Sequence, residues 1–583
     1  MKNSRTYLLL LGIILVAFAL RMYQLDFFSL RGDEAFTVLF VQKPLAQMWH
    51  ETLTVEPNPP LLYFALRGWI ALAGDSEFAT RFFSAWFGVL CVALIYRLAR
   101  EIFGKMYGNR ESARIDAQAN AIALVAAFLI AINPYQIWHS QDVRNYTMWP
   151  ALSLLALIFF WQWYDNSQKG AKAQRNFLLI YFVLAELFAL YAHYYEAFIL
   201  LALNLFVFAT QWRDLKKLAQ WLAAQIVLAL VYLPYPLILS NRVSAYGEGS
   251  GRQGVALWDM ARETFGAFVL GETLDAAWCA WLWTPFALLA FGGLIYLFTR
   301  DWKRGLFFAL YAGVPTIAVF ALNTFRPLYL ERYLNGIAPA YYLLLAYGIV
   351  QGTNAISARV QFAHARRAGL AFGAVGFALI AFFALQNYWT NPAYAKAPDW
   401  RGLTNIINAN AQPGDLIVQN FPEMSLLYYD RTKLPLVVYP ETFLPDIKTA
   451  QQLNAMNANY QRVWFIPAAT DYWDPDGFVQ EWLDRRNDLL DDWNVGDFRL
   501  RLYATPSQFL NTMQRTNTNL KPLTLLGYRT QRQGDNARVV LYWRAQENLN
   551  TAYTLNLTFF DARGNQVRQI NEPFLRGEFA TTE

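Results

Sequence analysis

Residues 1–36 read MKNSRTYLLLLGIILVAFALRMYQLDFFSLRGDEAF. A basic amino terminus leads into an apolar run from Tyr7 to Tyr23, and two adjacent acids, Asp33 and Glu34, follow a few residues later. Lys2 and Arg5 ahead of such a run fit either a signal peptide or a first membrane helix. No small-residue cleavage motif follows and further apolar runs do, so the stretch reads as an uncleaved membrane helix.

Crossing about 30 Å of hydrocarbon takes roughly 17–25 residues of helix. Ten further runs lie near or within that window: residues 82–103, 119–138, 148–164, 177–194, 197–212, 218–239, 276–298, 306–322, 334–350 and 370–386. About eleven transmembrane helices are therefore expected. Lys and Arg accumulate in short cytoplasmic loops, which tests the count independently. With the N-terminus in the cytoplasm, the inner loops hold Arg100, Lys105, Arg110 and Arg114, then Lys169, Lys172 and Arg175, then Arg213, Lys216 and Lys217. Arg300, Lys303 and Arg304 follow, and then Arg359, Arg366 and Arg367. Every alternate loop is basic. A multi-pass cell-membrane protein is expected, with Asp33, Glu34 and the long C-terminal region on the extracytoplasmic face. The stretch PPLLYFALRGWIALAG, residues 59–74, carries Arg67 in its middle and is too short to cross. With residues 36–49 it suggests two helices lying along the membrane surface.

Composition agrees with a membrane class: of 583 residues, 56% are hydrophobic and only 16% charged. The net charge of +6 does not argue for nucleic acid, because the basic residues sit between apolar runs rather than in a stripe or tail. Both cysteines, Cys91 and Cys279, fall inside apolar runs, so no disulfide framework or cysteine metal site is indicated.

After residue 390 the pattern changes. Strands DLIVQN, PLVVY, RVWFIP and FRLRLYA alternate with helical stretches, the last of them FVQEWLDRRNDLLDDW, which suggests a small α/β domain. From about Leu520 only strands are expected, with DARGN as a hairpin turn. The domains expected are residues 1–390 (transmembrane, catalytic), 391–510 (extracytoplasmic α/β) and 520–583, a partial β-sandwich-like segment that reads as truncated.

Polar residues gather in the outer loops in four clusters. Asp33 and Glu34 in RGDEAF suit a general base with a partner that tunes it or holds a cation, or an ordinary helix cap. Glu56 in EPNPPLLYF shares that loop, and Arg81 at the start of the second span fits either a phosphate clamp or a side chain reaching lipid headgroups. NPYQIWHSQDVRNYTM crowds His139, Gln141, Asp142 and Arg144 into one short loop, too dense a set for mere connection, with an Asp142–Arg144 ion pair closing the loop as the structural alternative. The fourth cluster joins His193, Tyr194 and Glu196 of YAHYYEAF with Arg326, Glu331 and Arg332 of FRPLYLERYLNGIAP. Arg332 enters an apolar helix and calls for an anionic partner, and Glu186, inside the fifth span, calls for helix–helix hydrogen bonding. Walker-type and H-E-x-x-H motifs are both missing from the sequence.

With DEA at 33–35, NPPLLYFALRGWIALAGDSEFATRFFSAWFGVL at 58–90, HSQDVRNYTM at 139–148 and ERYLNGIAPAYYLLLAYGI at 331–349, the first 390 residues resemble the GT-C glycosyltransferases. The likeness is to the family of the protein O-mannosyltransferases and the lipid A aminoarabinose transferase. The resemblance implies transfer of a monosaccharide, hexosyl or pentosyl, from a polyprenyl-phosphate donor to a hydroxyl of a protein, lipid or polysaccharide acceptor. It implies Asp33 as catalytic base with Glu34 in support, inversion at the anomeric carbon, and Arg81, Arg144 and Arg332 at the donor phosphate. Glu56, Asn58, Gln141, Asp142, His193 and Tyr194 become candidate substrate-binding residues. Relatives often place a His before the Pro pair, where this chain has Asn58, so Glu56 and His193 are left as candidate ligands for a divalent cation. The alternative is a transporter or flippase for a lipid-linked glycan, disfavoured by polar residues gathered in loops and by the lack of a visible internal repeat. An inactive anchor displaying the C-terminal domains would leave the arginine and carboxylate clusters without a purpose.

Overall fold

The computed structural model describes residues 2–104, 112–165, 172–238, 254–325, 329–359, 365–467, 473–496, 498–509, 513–533, 536–546 and 553–573. Lys105, Arg110, Lys169 and Arg326, together with residues 574–583, lie outside the described residues. The chain divides into two compact units, Met1–Pro398 and Asp399–Glu583.

In the first unit a helix occupies each of the eleven apolar runs. Among the described residues, seven helices are long and apolar enough to cross a membrane, or eight if one bent pair counts as a single span. The count falls short of the expected eleven because Asn176–Ala192 and Glu196–Gln211 are short. Met148–Asp165 in turn is diluted by tryptophans, Pro150 and Gln162.

The bent pair is the run read as one span over 119–138. Asp116–Ile132 and Pro134–Ser140 meet at 58°. Pro134 has no N–H to continue the ladder and is suited to a first helical turn, and the Asn133 side chain caps the new helix by accepting from Gln136 N at 3.0 Å. The carbonyls stranded at the break need donors. Arg21, fully buried at the end of Lys2–Met22, supplies them to Ala131 O at 2.9 Å and Ile130 O at 3.1 Å. A cation thus closes a helix C-terminus, where the dipole favours it.

Three helices, not two, form the segment between the first spans: Gly32–Gln42, Leu45–Thr54 and Leu61–Ala73. The stretch expected as one helix breaks at Lys43–Pro44, since the residue before a proline is pushed to extended backbone. Lys43 accordingly has ψ 154. Arg67, the cation inside the apolar stretch, donates to Val41 O and Lys43 O, both at 2.6 Å, and so ties off the C-terminus of Gly32–Gln42.

Spans pack closely where small residues allow it. Gly293 on Thr284–Arg300 meets Ala338–Arg359 so tightly that a Cβ would lie 2.8 Å from Leu344 O. Glu186 is buried, but among the described residues neither of its carboxylate oxygens has the hydrogen-bond partner expected of it.

The second unit carries a five-stranded sheet of β1 (Asp415–Gln419), β2 (Leu436–Val438), β3 (Arg462–Ile466), β4 (Asp488–Val495) and β5 (Phe498–Ala504), in the order β2-β1-β3-β5-β4. β1 pairs parallel with β2 and β3, while β5 runs antiparallel to β3 and β4. Helices on both faces cover buried strands such as β3, RVWFI. The expected helix over FVQEWLDRRNDLLDDW stops at Arg486. From Asp488 the chain forms β4, because Asp488–Val495 turns at Gly496 and finds a ladder on β5. Three further strands, β6 (Gln514–Asn519), β7 (Leu523–Gln533) and β8 (Asn536–Ala545), make an antiparallel sheet that begins earlier than the expected Leu520. β9 (Thr554–Phe560) and β10 (Gln566–Pro573) form a hairpin around DARGN, with Gly564 at φ 85.

Candidate active site

Among the described residues, side chains from all four polar clusters come within electrostatic reach of one another in the first unit, and Glu34 organises them. It is the third residue of Gly32–Gln42 and is fully buried. Arg81 donates to it twice, Nε to Oε1 at 2.9 Å and Nη2 to Oε2 at 2.8 Å. The backbone N–H groups of Val143 and Arg31 donate to the same carboxylate at 3.0 and 3.2 Å. Burial opposes the charge, yet Arg81 outweighs it and holds the Glu34 carboxyl below its ordinary range. The remaining donors of Arg81 go to the carbonyls of Leu25 (3.1 Å), Phe28 (2.7 Å) and Ser29 (2.9 Å). This guanidinium, expected at the donor phosphate, ties the turn after the first span to Glu34 of the first outer helix, and Glu34 in turn holds Val143 of the Asp142 loop.

Asp33, one residue earlier, is exposed. Its carbonyl accepts from Thr37 Oγ1 at 2.8 Å, but its carboxylate makes no hydrogen bond among the described residues. It lies within electrostatic reach of Arg144 and Arg332. Arg144 donates Nη1 to Thr37 Oγ1 at 3.3 Å and leaves Nε buried without a partner. Burial works against its charge, but Tyr146, Asp33, Tyr63 and Glu56 around it push its pKa up. Arg332 lies over the Tyr146 ring, 5.7 Å from the centroid, and its Nε also has no hydrogen bond among the described residues. One free carboxylate thus shares a space with two guanidinium groups that retain donors.

Glu56 is buried and accepts from Asn58 N at 3.0 Å, from the Asn58 side chain, and from Tyr63 OH at 2.9 Å. Tyr194 OH bonds Pro57 O, and Tyr235 OH reaches Asn58 O at 3.1 Å. His193 stacks on Trp149 with centroids 4.0 Å apart, and its Nδ1 accepts from Tyr195 N at 3.2 Å. Burial and the Arg144 charge pull it down to about 3, so the imidazole is neutral.

The Asp142–Arg144 ion pair, the structural alternative for this loop, does not form. Asp142 instead meets Arg31 Nη2 at 3.2 Å, His139 Nδ1 at 3.3 Å and Lys396 Nζ at 2.9 Å. Burial resists its charge, but Arg31 and Lys396 hold the carboxyl well below the usual carboxylate range. Gln141 is a brace: its Nε2 donates to Arg21 O and Tyr23 O, at 3.0 and 2.9 Å, while Oε1 accepts from Tyr388 at 2.7 Å. Neither Lys396 nor Glu272 stood out in the sequence. Both sit in short polar stretches beside apolar runs, NPAYAKAPDW after the last one and VLGETLD before the run at 276–298, which is the signal that could have marked them.

Lys396 adds a pH dependence. Burial pulls its ammonium down to about 8, against the opposing pull of Asp142. Below that pH the lysine is charged and the Asp142 pair is intact; as pH rises through about 8 the pair is lost. We expect activity to fall on that alkaline limb and the limb to move upward in Lys396→Arg, checked by pH–rate profiles of both proteins from about pH 6 to 10.

One group of three metal-capable side chains converges among the described residues, His139, Glu272 and Glu331, with their ligand atoms all within 4.8 Å of one another. It contains neither of the expected ligands, Glu56 and His193.

Against known proteins, residues 57–235 match the sequence model described as dolichyl-phosphate-mannose-protein mannosyltransferase. No curated protein sequence matches. Among solved structures, ArnT from Cupriavidus metallidurans in the apo state superposes with a TM-score of 0.58 at 15% identity, over 87% of this chain and 99% of that one. Its complex with undecaprenyl phosphate gives 0.57 at 17% identity, over 85% and 97%. The archaeal oligosaccharyltransferase AglB from Archaeoglobus fulgidus, bound to an inhibitory peptide and a dolichol-phosphate, gives 0.52 at 14% identity over 90% and 76%. The fold is that of the GT-C glycosyltransferases. Within this GT-C fold the matched segment, 57–235, contains Arg81, Asp142, Arg144 and His193, whereas Asp33 and Arg332 lie outside it. The multi-pass membrane architecture agrees with these neighbours.

Proposed function

We propose that the chain is a membrane glycosyltransferase that moves a monosaccharide from a polyprenyl-phosphate donor to an acceptor hydroxyl on the extracytoplasmic face. The observation that carries this reading is Asp33, an exposed carboxylate with no hydrogen bond among the described residues, within electrostatic reach of two arginines whose Nε atoms have no partner among them. In the reaction, Asp33 accepts the proton of the acceptor hydroxyl as its oxygen bonds to the anomeric carbon. The bond from that carbon to the phosphate oxygen breaks, and the electron pair leaves with the lipid phosphate. Arg144 and Arg332 stabilise the charge on the departing phosphate. Direct attack inverts the anomeric centre and needs no covalent sugar intermediate. Glu56, Asn58, Tyr194 and His193 are assigned to the substrate. The likeness to a structure holding undecaprenyl phosphate and to another holding dolichol-phosphate supports a lipid-phosphate donor.

The test is transfer of radiolabelled sugar from a panel of polyprenyl-phosphate donors in membranes containing the chain. Donor consumption with labelled acceptor is the expected result; movement of intact lipid-linked sugar across the bilayer without cleavage would identify a flippase instead. Arg332→Gln is expected to lower kcat/KM for the donor about ten- to a hundredfold, the loss of one or two charge-assisted hydrogen bonds. Steady-state kinetics against donor concentration check this.

A further inference from the structure

His139 is 1% exposed, and its two ring nitrogens face different neighbours. Nδ1 lies 3.3 Å from Asp142 Oδ2. The same carboxylate meets Arg31 at 3.2 Å and Lys396 at 2.9 Å, and an ion on Nε2 would leave Nδ1 to donate to it. Nε2 lies 3.3 Å from Glu272 Oε1, yet it has no hydrogen-bond partner in direction as well as distance. Glu331 brings a second carboxylate to the same point. Three electron-pair donors therefore converge, delivered by three separate segments: the helix Pro134–Ser140, the residue after Gly271, and the 3-10 turn Glu331–Ile337.

We propose that His139, Glu272 and Glu331 hold a divalent transition-metal ion of the Zn2+ or Mn2+ type. One imidazole with two carboxylates suits these ions, whereas Ca2+ and Mg2+ favour all-oxygen shells. An Asp142 carboxylate behind a ligating histidine is the usual outer support for such a ligand. Three protein ligands leave a fourth position open to water or an anion. Ligand atoms around such an ion sit roughly 3.4 Å apart at metal–ligand distances near 2.1 Å, closer than the 4.8 Å bound on this group. The Glu272 side chain is 31% exposed and Glu331 is partly exposed, so both can rotate inward while His139 stays fixed. This site stands independently of the sugar-transfer reading.

The test uses the full chain purified in detergent, stripped with chelator and titrated with Zn2+ and with Mn2+, next to Glu272→Gln, Glu331→Gln and the double variant. Elemental analysis should find about one ion per parent chain, and each single variant should lose at least about tenfold in affinity. The ion should also raise the thermal unfolding temperature of the parent and not of the double variant. The carboxamides preserve volume at partly exposed positions, and a parent-like elution profile shows that the variants fold. A parent that retains no more of either ion than the double variant, or variants that bind with parental affinity, would overturn the proposal.

Discussion

Asp33→Asn is expected to lower sugar transfer by about 10²–10⁴, the range by which a positioned general base accelerates a reaction. The donor's KM should hardly change, because the amide leaves Arg144 and Arg332 where they are. Stability should hardly change either. Asp33 is exposed, and its carboxylate holds no hydrogen bond among the described residues; only its carbonyl, which Asn retains, accepts from Thr37. What is lost is a favourable charge near a helix N-terminus, worth about 0.3–1 kcal/mol. Radiolabelled transfer in membranes and thermal unfolding of the purified protein, measured on the same preparation, separate the two effects. Transfer at the parental rate would place the base elsewhere.

The helices of the first unit were legible because each needs a long apolar run, and apolar runs survive any ambiguity about partners. Their interruptions were harder to read. Pro134 and Pro44 were visible, but whether a proline ends a helix or merely kinks it depends on who satisfies the freed carbonyls. Here Arg21 and Arg67 do so, from 110 and 24 residues away in sequence. In the second unit the error over Asp488–Val495 has the same origin. The stretch has enough helix formers to continue Phe478–Arg486, and only the ladder on β5 decides otherwise.

The site was legible as a set of clusters and not as a set of pairs. Polar side chains in short outer loops announced themselves by type, so Asp33, Arg144, Arg332 and Asp142 stood out as candidates. Pairing is a tertiary fact. Asp142 and Arg144 sit two residues apart, yet Asp142 turns to Arg31 and Lys396 while Arg144 turns to Thr37. Glu272 escaped because an acid or two between apolar stretches looks like a connection. Arg81 was assigned to phosphate because an arginine at a span's end is equally suited to an external anion and to an internal one.

Glu34 is that internal anion, and the second large effect follows from it. Glu34→Gln and Arg81→Met are each expected to destabilise the protein by about 3–5 kcal/mol, since either leaves its former partner charged and buried. Arg81→Met should be the worse of the two. It strands Glu34 and also removes the donors to Leu25, Phe28 and Ser29, whereas Glu34→Gln leaves Arg81 its three carbonyls. The double variant should cost less than the sum, because the two losses share one interaction. The pair also carries a pH signature. Folding holds Glu34 below its ordinary 4.5, so its contribution is complete above about that pH and is lost as pH falls through the lower folded value. Thermal unfolding of the four proteins in detergent, at neutral and acid pH, measures both. A Glu34→Gln protein that melts like the parent but transfers no sugar would move Glu34 from the frame of the site into its chemistry, and Asp33 would then have to share the role of base.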